Sequence, residues 1–224
     1  MGAFETIQQR HSVRQYRDQP IPESMRKELL AEVARINADS GLSIQLLFDE
    51  PSCFEAAIAR YGSFSGVVNY IALVGSKGPD LDEACGYWGE QLVLRAQELG
   101  LNTCWVGLNY GKTAAVVESG QKLVCVIALG FGANQGKAHK VKPLEKLTDV
   151  PLLSGSQGAA APEWFVQGLR AAQLAPTAIN QQKFLFSLVD GEPVARVKGV
   201  GPYVKVDLGI VKWHFEAVTG RRVG

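Results

Sequence analysis

Two short stretches concentrate the chemistry of this 224-residue chain. The first, Arg10-His11-Ser12-Val13-Arg14, sets two guanidinium groups, an imidazole and a hydroxyl in one short run. Guanidinium forks match phosphate oxygens in pairs, and a hydroxyl and backbone N–H groups add further hydrogen bonds. The run could hold an anion; taken alone it is equally a solvated basic loop. The second stretch, Ala175-Pro176-Thr177-Ala178-Ile179-Asn180-Gln181-Gln182, is unusual for the end of a helix. Its small residues let a flat ligand approach the backbone, and Asn180 and Gln182 offer donors and acceptors. Its plain reading is a helix cap and turn.

Other chemistries find little support. No nucleophile–histidine or acid–base arrangement stands out. Cys53, Cys85, Cys104 and Cys125 form no C-x-x-C pair. They read as buried reduced thiols of a cytoplasmic protein. His11, His139 and His214 lie far apart, without metal-ligand spacing. No G-x-G-x-x-G occurs in a strand–helix setting, so a separate dinucleotide domain is not expected. A net charge of +1 argues against a nucleic-acid surface. No apolar run approaches the ~20 residues of a membrane span. The N-terminus lacks the apolar core of a secretory signal. Gly2 with Thr6 fits a loose myristoylation pattern but reads as the start of a helix in a soluble protein. With 46% hydrophobic and 20% charged residues, the chain can build a sizeable core, as one large domain or two closely packed halves.

Periodicity and punctuation give the elements that must position the two stretches. Phe4 to Gln9 reads as a short helix. Pro22-Glu23 opens another, with Met25, Leu29, Leu30, Val33 and Ile36 on its apolar face. Ser43 to Phe48 is strand-like, a helix follows around Phe54 to Arg60, and Val67 to Val74 is a buried strand. Leu81 to Gly100 is the strongest helix, and Gly86 and Gly89 within it suggest close approach of another backbone. Asn102 to Val106 and Leu123 to Leu129 read as strands, with a short helix around Lys112 to Glu118 between them. Lys137 to Lys142 is basic and irregular. Pro162-Glu163 opens a helix with Phe165, Val166, Leu169 and Ala172 inward. Lys183 to Val189 is a strand ended by Asp190-Gly191-Glu192-Pro193, and Asp207 to Val218 is a last helix.

The order of parts repeats. Pro22-Glu23 and Pro162-Glu163 each open a helix that leads into a strand. The strands end in Asp49-Glu50-Pro51 and Asp190-Gly191-Glu192-Pro193. Asp82 precedes Trp88 by the same spacing as Asp207 precedes Trp213. The second copy is shorter and has no counterpart of residues 10–14. The expected organisation is a first half over 1–150, a connector over 151–161 and a shorter second half over 162–224. Their long helices should cross about a pseudo-twofold axis, as in a symmetric dimer.

Arg-His-Ser-Val-Arg followed by an aromatic residue resembles the N-terminal signature of the flavin-dependent nitroreductase family. Residues 175–182 are similar to that family's Ala-Pro-Ser-small-x-Asn-x-Gln segment. Gly100 to Gly107 looks like the strand after its long interface helix, and Lys140-Val141-Lys142-Pro143-Leu144 resembles its later basic stretch. In typical members the Ala-Pro segment follows the first helix after the Arg-Ser motif. Here that place holds Ala34 to Asp39, which does not match, and the segment stands only in the second half. The chain therefore resembles the single-chain subfamily, in which two unequal halves mimic the usual dimer.

The resemblance implies an α+β fold, an antiparallel-rich sheet flanked by helices, with the halves forming a pseudo-dimer. It implies one FMN per chain, in a site complete without a second subunit. Arg10, His11, Ser12 and Arg14 would hold the phosphate and ribityl chain, with Lys140 and Lys142 closing the phosphate side. Pro176, Thr177, Ala178 and Asn180 would face the flavin from the other half. Val106, Gly107 and Leu108 would present backbone groups near the ring. NAD(P)H would reduce the flavin, and a small electron acceptor, a quinone or nitroaromatic, would reoxidise it. The alternatives are a non-catalytic flavin carrier or sensor, another flavin reaction (dehydrogenation, dehalogenation or flavin breakdown), and an interaction scaffold with an empty pocket.

Overall fold

A computed structural model of the protein describes residues 2–55, 62–152 and 160–224. The sheet has four strands: β1 (Gln45–Leu47), β2 (Asn69–Ser76), β3 (Asn102–Val106) and β4 (Gln121–Gly130). They lie in the order β1-β2-β4-β3, and each neighbouring pair is antiparallel. β2 and β4 are central and apolar over most of their length, as strands covered on both faces must be. β3 is an edge, and the Arg10–Arg14 run is laid along it: Ser12 bridges Thr103, and the Val13 N–H donates to the Thr103 carbonyl at 3.0 Å. The sheet thereby fixes one of the two chemical stretches.

The helices are α1 (Ala3–Gln9), α2 (Glu23–Ser40), α3 (Ser52–Glu55), α4 (Leu81–Glu98), α5 (Glu163–Gln173) and α6 (Val204–Thr219). The crossing of α4 with α6 organises the rest. A Cβ on Gly86 would lie 2.0 Å from the Val206 carbonyl oxygen, and one on Gly209 would lie 2.0 Å from that of Glu83. Only glycine permits backbones so close. Gly89 differs from the sequence expectation, because it makes room for the side chains of Trp105 and Leu73 rather than for a backbone. The aromatic packing of Phe165, Phe186 and Phe215 ties α5 and α6 to the second sheet.

That second sheet is a hairpin of β5 (Phe184–Val189) and β6 (Glu192–Val197). The sequence reading ended at β5 and missed β6. Asp190-Gly191, both at positive φ, forms the two-residue turn that reverses the chain and continues the pairing. The helix expected around Lys112 to Glu118 is absent: residues 111–118 carry no helix or strand. Gln45 holds Val116 through both its N–H and its C=O, and Thr113 accepts the Ala115 N–H and meets the Tyr70 hydroxyl. Those side-chain bonds replace the helical ones. Leu30, expected on the apolar face of α2, is exposed, whereas Leu29, Val33 and Ile36 are buried. Of the helix expected around Phe54 to Arg60 only α3 is seen; residues 56–61, like 153–159 of the connector, lie outside the described residues. All four cysteines are free and buried, and among the described residues no cluster of metal-ligating side chains occurs. No helix there is long and apolar enough to cross a membrane.

Candidate functional site

A cleft of about 350 Å³ opens where the Arg10–Arg14 run, the end of β3 and the start of α6 converge. Ser12, Arg14 and Phe64 line one side; Pro176, Thr177 and Ala178 line another. Trp105, Val106, Gly107 and Leu108 lie between them, and Tyr203, Asp207 and Ile210 come from the last helix and its approach. Its size is that of a small-ligand site. The two stretches that the sequence separates by more than 160 residues thus face one cavity.

Behind the Ser12 side lies a buried polar network. Arg10 is almost wholly enclosed, with its Nε 4.0 Å from Glu90 Oε1 and without a hydrogen-bond partner. Burial lowers its affinity for its proton, and Glu90 opposes that effect. Trp105 Nε1 donates to Glu90 Oε2 at 2.8 Å, which fixes an indole that lines the cleft. His214 Nδ1 lies 3.0 Å from the Ala171 carbonyl, and its Nε2 lies 2.9 Å from Glu90 Oε1. A carbonyl only accepts, so Nδ1 carries a proton. The Nε2 contact then needs a second proton, held either by the ring or by the carboxyl. His11 and His139 stand near Arg10; burial first, then the neighbouring positive charge, depresses the pKa of each. His139 Nε2 also lacks a partner. The unpartnered Arg10 Nε–H is a buried donor of the kind an anion would satisfy.

The opposing wall is a strained turn. Ile179, Asn180 and Gln182 have φ of 48°, 54° and 45°, the left-handed region that non-glycine residues avoid. Several bonds hold them there. The Gln182 N–H donates to Thr177 Oγ1 at 3.1 Å, and Lys142 Nζ donates to the carbonyls of Gln181 and Gln182 at 2.7 and 2.9 Å. Asn180 Nδ2 and Gln182 Nε2 both donate to the Lys140 carbonyl, at 2.8 and 2.9 Å. Asp207 closes the arrangement from α6. Its carboxylate accepts the Ala178 N–H at 2.9 Å and Gln181 Nε2 at 2.7 Å. Burial pushes the Asp207 carboxyl up to about 6, against the pull of those two hydrogen bonds. Tyr203, also left-handed at φ 55°, donates its hydroxyl to the Gly107 carbonyl at 2.5 Å.

The residues expected at the site are therefore divided. Ser12, Arg14, Val106, Gly107, Leu108, Pro176, Thr177 and Ala178 line the cleft. Arg10, His11, Lys140, Lys142 and Asn180 do not. Arg10 is drawn inward by Glu90, and two of the three Lys142 donors are spent on the turn. Asn180 has both ends of its amide engaged, with Lys140 and Gln182, so it closes the turn instead of facing the cavity. Sequence reasoning missed Phe64, Tyr203, Asp207 and Ile210. Only Asp207 left a trace, as half of the repeated Asp–Trp spacing.

Comparison with known proteins bears on the family and the fold. A crystal structure of "a putative nitroreductase" from Thermotoga maritima MSB8 aligns over 97% of this chain and 83% of that one, with 21% identity and a TM-score of 0.65. One from Desulfovibrio desulfuricans, solved in complex with FMN, aligns over 64% of this chain and 93% of that one, with 23% identity and a TM-score of 0.53. A "Putative NADH dehydrogenase/NAD(P)H nitroreductase" from Bacteroides thetaiotaomicron aligns over 65% of this chain and 95% of that one, with 16% identity and a TM-score of 0.50. No curated protein matches in sequence. The family model "Putative TM nitroreductase" matches residues 3–219, and the chain belongs to that nitroreductase family.

Proposed function

We propose that the cleft holds one FMN and that the protein is an oxidoreductase passing hydride from NAD(P)H to a small oxidant such as a quinone or nitroaromatic. One observation carries this reading: Ser12 and Arg14 line the same cavity as Pro176, Thr177 and Ala178. The phosphate goes to Arg14 and Ser12, with Arg10 and Lys140 supplying positive charge behind them and His11 a neutral imidazole beside them. The partnerless Arg10 Nε supports that end, because an anion offsets a buried donor that the protein leaves unmatched. The ring lies between residues 106–108 and 176–178. When bound, FMN supplies an N5 that accepts hydride and passes electrons on. The chain's residues bind and orient it: Trp105, Val106 and Ile210 give apolar walls, and Thr177 gives a hydroxyl.

The site is complete within one chain. The phosphate-binding run occurs once, in the first half, and the Ala-Pro segment once, in the second. Shorter family structures align nearly whole onto about two thirds of this chain, which supports a first half followed by a reduced second copy. The test is an absorption spectrum of the purified protein, then titration of apo-protein with FMN and assay of NADH and NADPH oxidation with menadione. The expected result is one FMN per chain and menadione-dependent oxidation. Failure to bind FMN overturns the reading. Tyr203 narrows the cleft at Gly107, which favours a second reading as a flavin carrier. FMN uptake without NAD(P)H oxidation selects it.

A further inference from the structure

Asp207 is buried to 3% exposure in the wall of the cleft, and no cation is paired with it among the described residues. Both of its carboxylate oxygens are used on one short segment, through the Ala178 N–H and Gln181 Nε2. That segment contains three left-handed non-glycine residues, including the β-branched Ile179. Strain of this kind persists only where surrounding bonds impose it. We propose that Asp207 is a positioning residue: its carboxylate fastens the Thr177–Gln182 turn to α6, fixes the wall facing the flavin, and releases that wall in acid. The functional consequence rests on the FMN reading; the fastening itself does not.

An ionised carboxylate accepts at both oxygens, and charge strengthens both bonds. A protonated carboxyl turns one oxygen into a hydroxyl, so one of the two N–H donors loses its acceptor. The change falls near pH 6, because burial has moved the group there from 3.8. Other ionisable groups surround it. Cys125 on β4 and Tyr203 at the head of α6 are both raised by burial and keep their protons. Asp82 on α4 is paired with Lys122 of β4, and Glu83 with Lys212. Arg14 lines the same cleft and stays charged. A fastening made of a costly buried charge is a device kept for the site, since a neutral amide would be cheaper to bury.

The test compares wild type with Asp207→Asn and Gln181→Ala. Amide hydrogen exchange of apo-protein at pH 7.5 reads the fastening directly. Exchange at Ala178 should rise about tenfold in Asp207→Asn, the loss of one charge-assisted bond. Riboflavin and FMN affinities between pH 5 and 8 read the consequence. Riboflavin matters because the FMN phosphate itself titrates near 6. Wild-type affinity for riboflavin should fall about tenfold as pH drops through 6, and Asp207→Asn should be weak and flat. Gln181→Ala removes a bond that favours the ionised form, so its midpoint should move to higher pH. Wild-type exchange at Ala178 in Asp207→Asn, or an unmoved midpoint in Gln181→Ala, overturns the proposal. If Asp207→Asn does not fold, the Gln181→Ala midpoint decides alone. If wild type binds neither flavin while exchange at Ala178 still rises in Asp207→Asn, the FMN reading fails and the fastening stands.

Discussion

Two clefts of nearly equal size differ in what they leave unpaired. The one between Arg14 and Ala178 measures about 350 Å³; a second, between α4 and α6, measures about 360 Å³. The second is lined by Glu83, Tyr87, Lys212 and Glu216. Its enclosed charges are matched: Lys212 Nζ meets Glu83 at 2.7 Å, and Glu216 accepts from the Tyr87 hydroxyl at 2.6 Å and the Val223 N–H at 2.8 Å, while Asp80 and Arg222 are exposed to solvent. In the first cleft, among the described residues, Arg14 has only the face of Phe64, and Asp207 has no cation. Volume does not make a ligand site. Unmatched charge, held at a cost to the fold, does.

The same contrast separates two acids that stand at the same spacing before a tryptophan. Asp82 begins α4 and pairs with Lys122 at 2.9 Å near the surface. Asp207 begins α6, is enclosed, and holds a turn of the cleft wall. The spacing is the same and the work differs.

The largest effects should come from what both clefts share, the α4–α6 crossing. Glu90→Ala leaves His214 and the Trp105 N–H without their common partner and Arg10 without its neighbouring carboxylate. Removing one partner of a buried charged group typically costs about 3–5 kcal/mol. Denaturant unfolding should show that loss, and a midpoint within error of wild type would mean that the network is not closed as described. Gly86→Ala comes next. Its Cβ would sit 2.0 Å from a backbone oxygen that cannot swing aside, so the helices must part, at about 3 kcal/mol. Gly89→Ala meets only side-chain tips and should cost less.

These residues show where the sequence stops being legible. The strands 102–106 and 121–130 and the long helices follow from local pattern. Hairpin β5–β6 was equally legible, since Asp190-Gly191 between apolar runs is a strong turn signal, but the Pro193 beyond it suggested a stop. The 111–118 segment was not legible, because Gln45 and Tyr70 decide its conformation from other elements. The two site stretches stood out by residue type, and resemblance supplied the idea that they meet. Nothing local could show that Arg10 turns inward, because its partner Glu90 lies 80 positions away and pairs in turn with His214. Asp207 looked like any acidic residue in a first helical turn.

Intermediate effects sharpen the Asp82–Asp207 contrast. The folded Asp207 carboxyl, at about 6, lies above its reference value of 3.8. Below 3.8 both states hold the proton and the group costs nothing. As pH rises through 6 the folded state must give up a proton it holds more tightly, so stability falls by an amount on the order of 3 kcal/mol. Asp207→Asn should therefore match or exceed wild type in stability at pH 7.5, and the gap should close below about pH 4. Asp82→Asn loses a surface pair, worth about 0–1 kcal/mol. Thermal unfolding at the two pH values checks both, and a clear loss of stability in Asp207→Asn at pH 7.5 would make it an ordinary structural residue. Arg14→Ala should weaken FMN by about 1.5–3 kcal/mol, roughly tenfold or more, with little change in stability. Lys212→Ala, in the second cleft, should leave FMN affinity unchanged. Equal weakening by the two would put the flavin elsewhere, and a second FMN per chain would remove the distinction between the clefts.

The smallest effect concerns Ile179, at the mouth of the first cleft. Its side chain is 85% exposed, and its backbone is left-handed at φ 48°. A β-branched residue gains nothing from packing there and suffers the full steric conflict of that conformation, about 1–2 kcal/mol. Asparagine tolerates the left-handed region without glycine's extra freedom in the unfolded chain. Ile179→Asn should thus raise stability by about 1 kcal/mol, read by denaturant unfolding. If strain were the whole account, activity would be untouched. An apolar side chain held at a cost beside the opening instead suits contact with an apolar oxidant. On the oxidoreductase reading, KM for menadione should then rise a few-fold in Ile179→Asn while kcat holds, the pattern of lost uniform binding. A variant that is more stable with KM unchanged would assign Ile179 to the turn alone, and one that is less stable would show that the exposed side chain packs against something the strain argument leaves out.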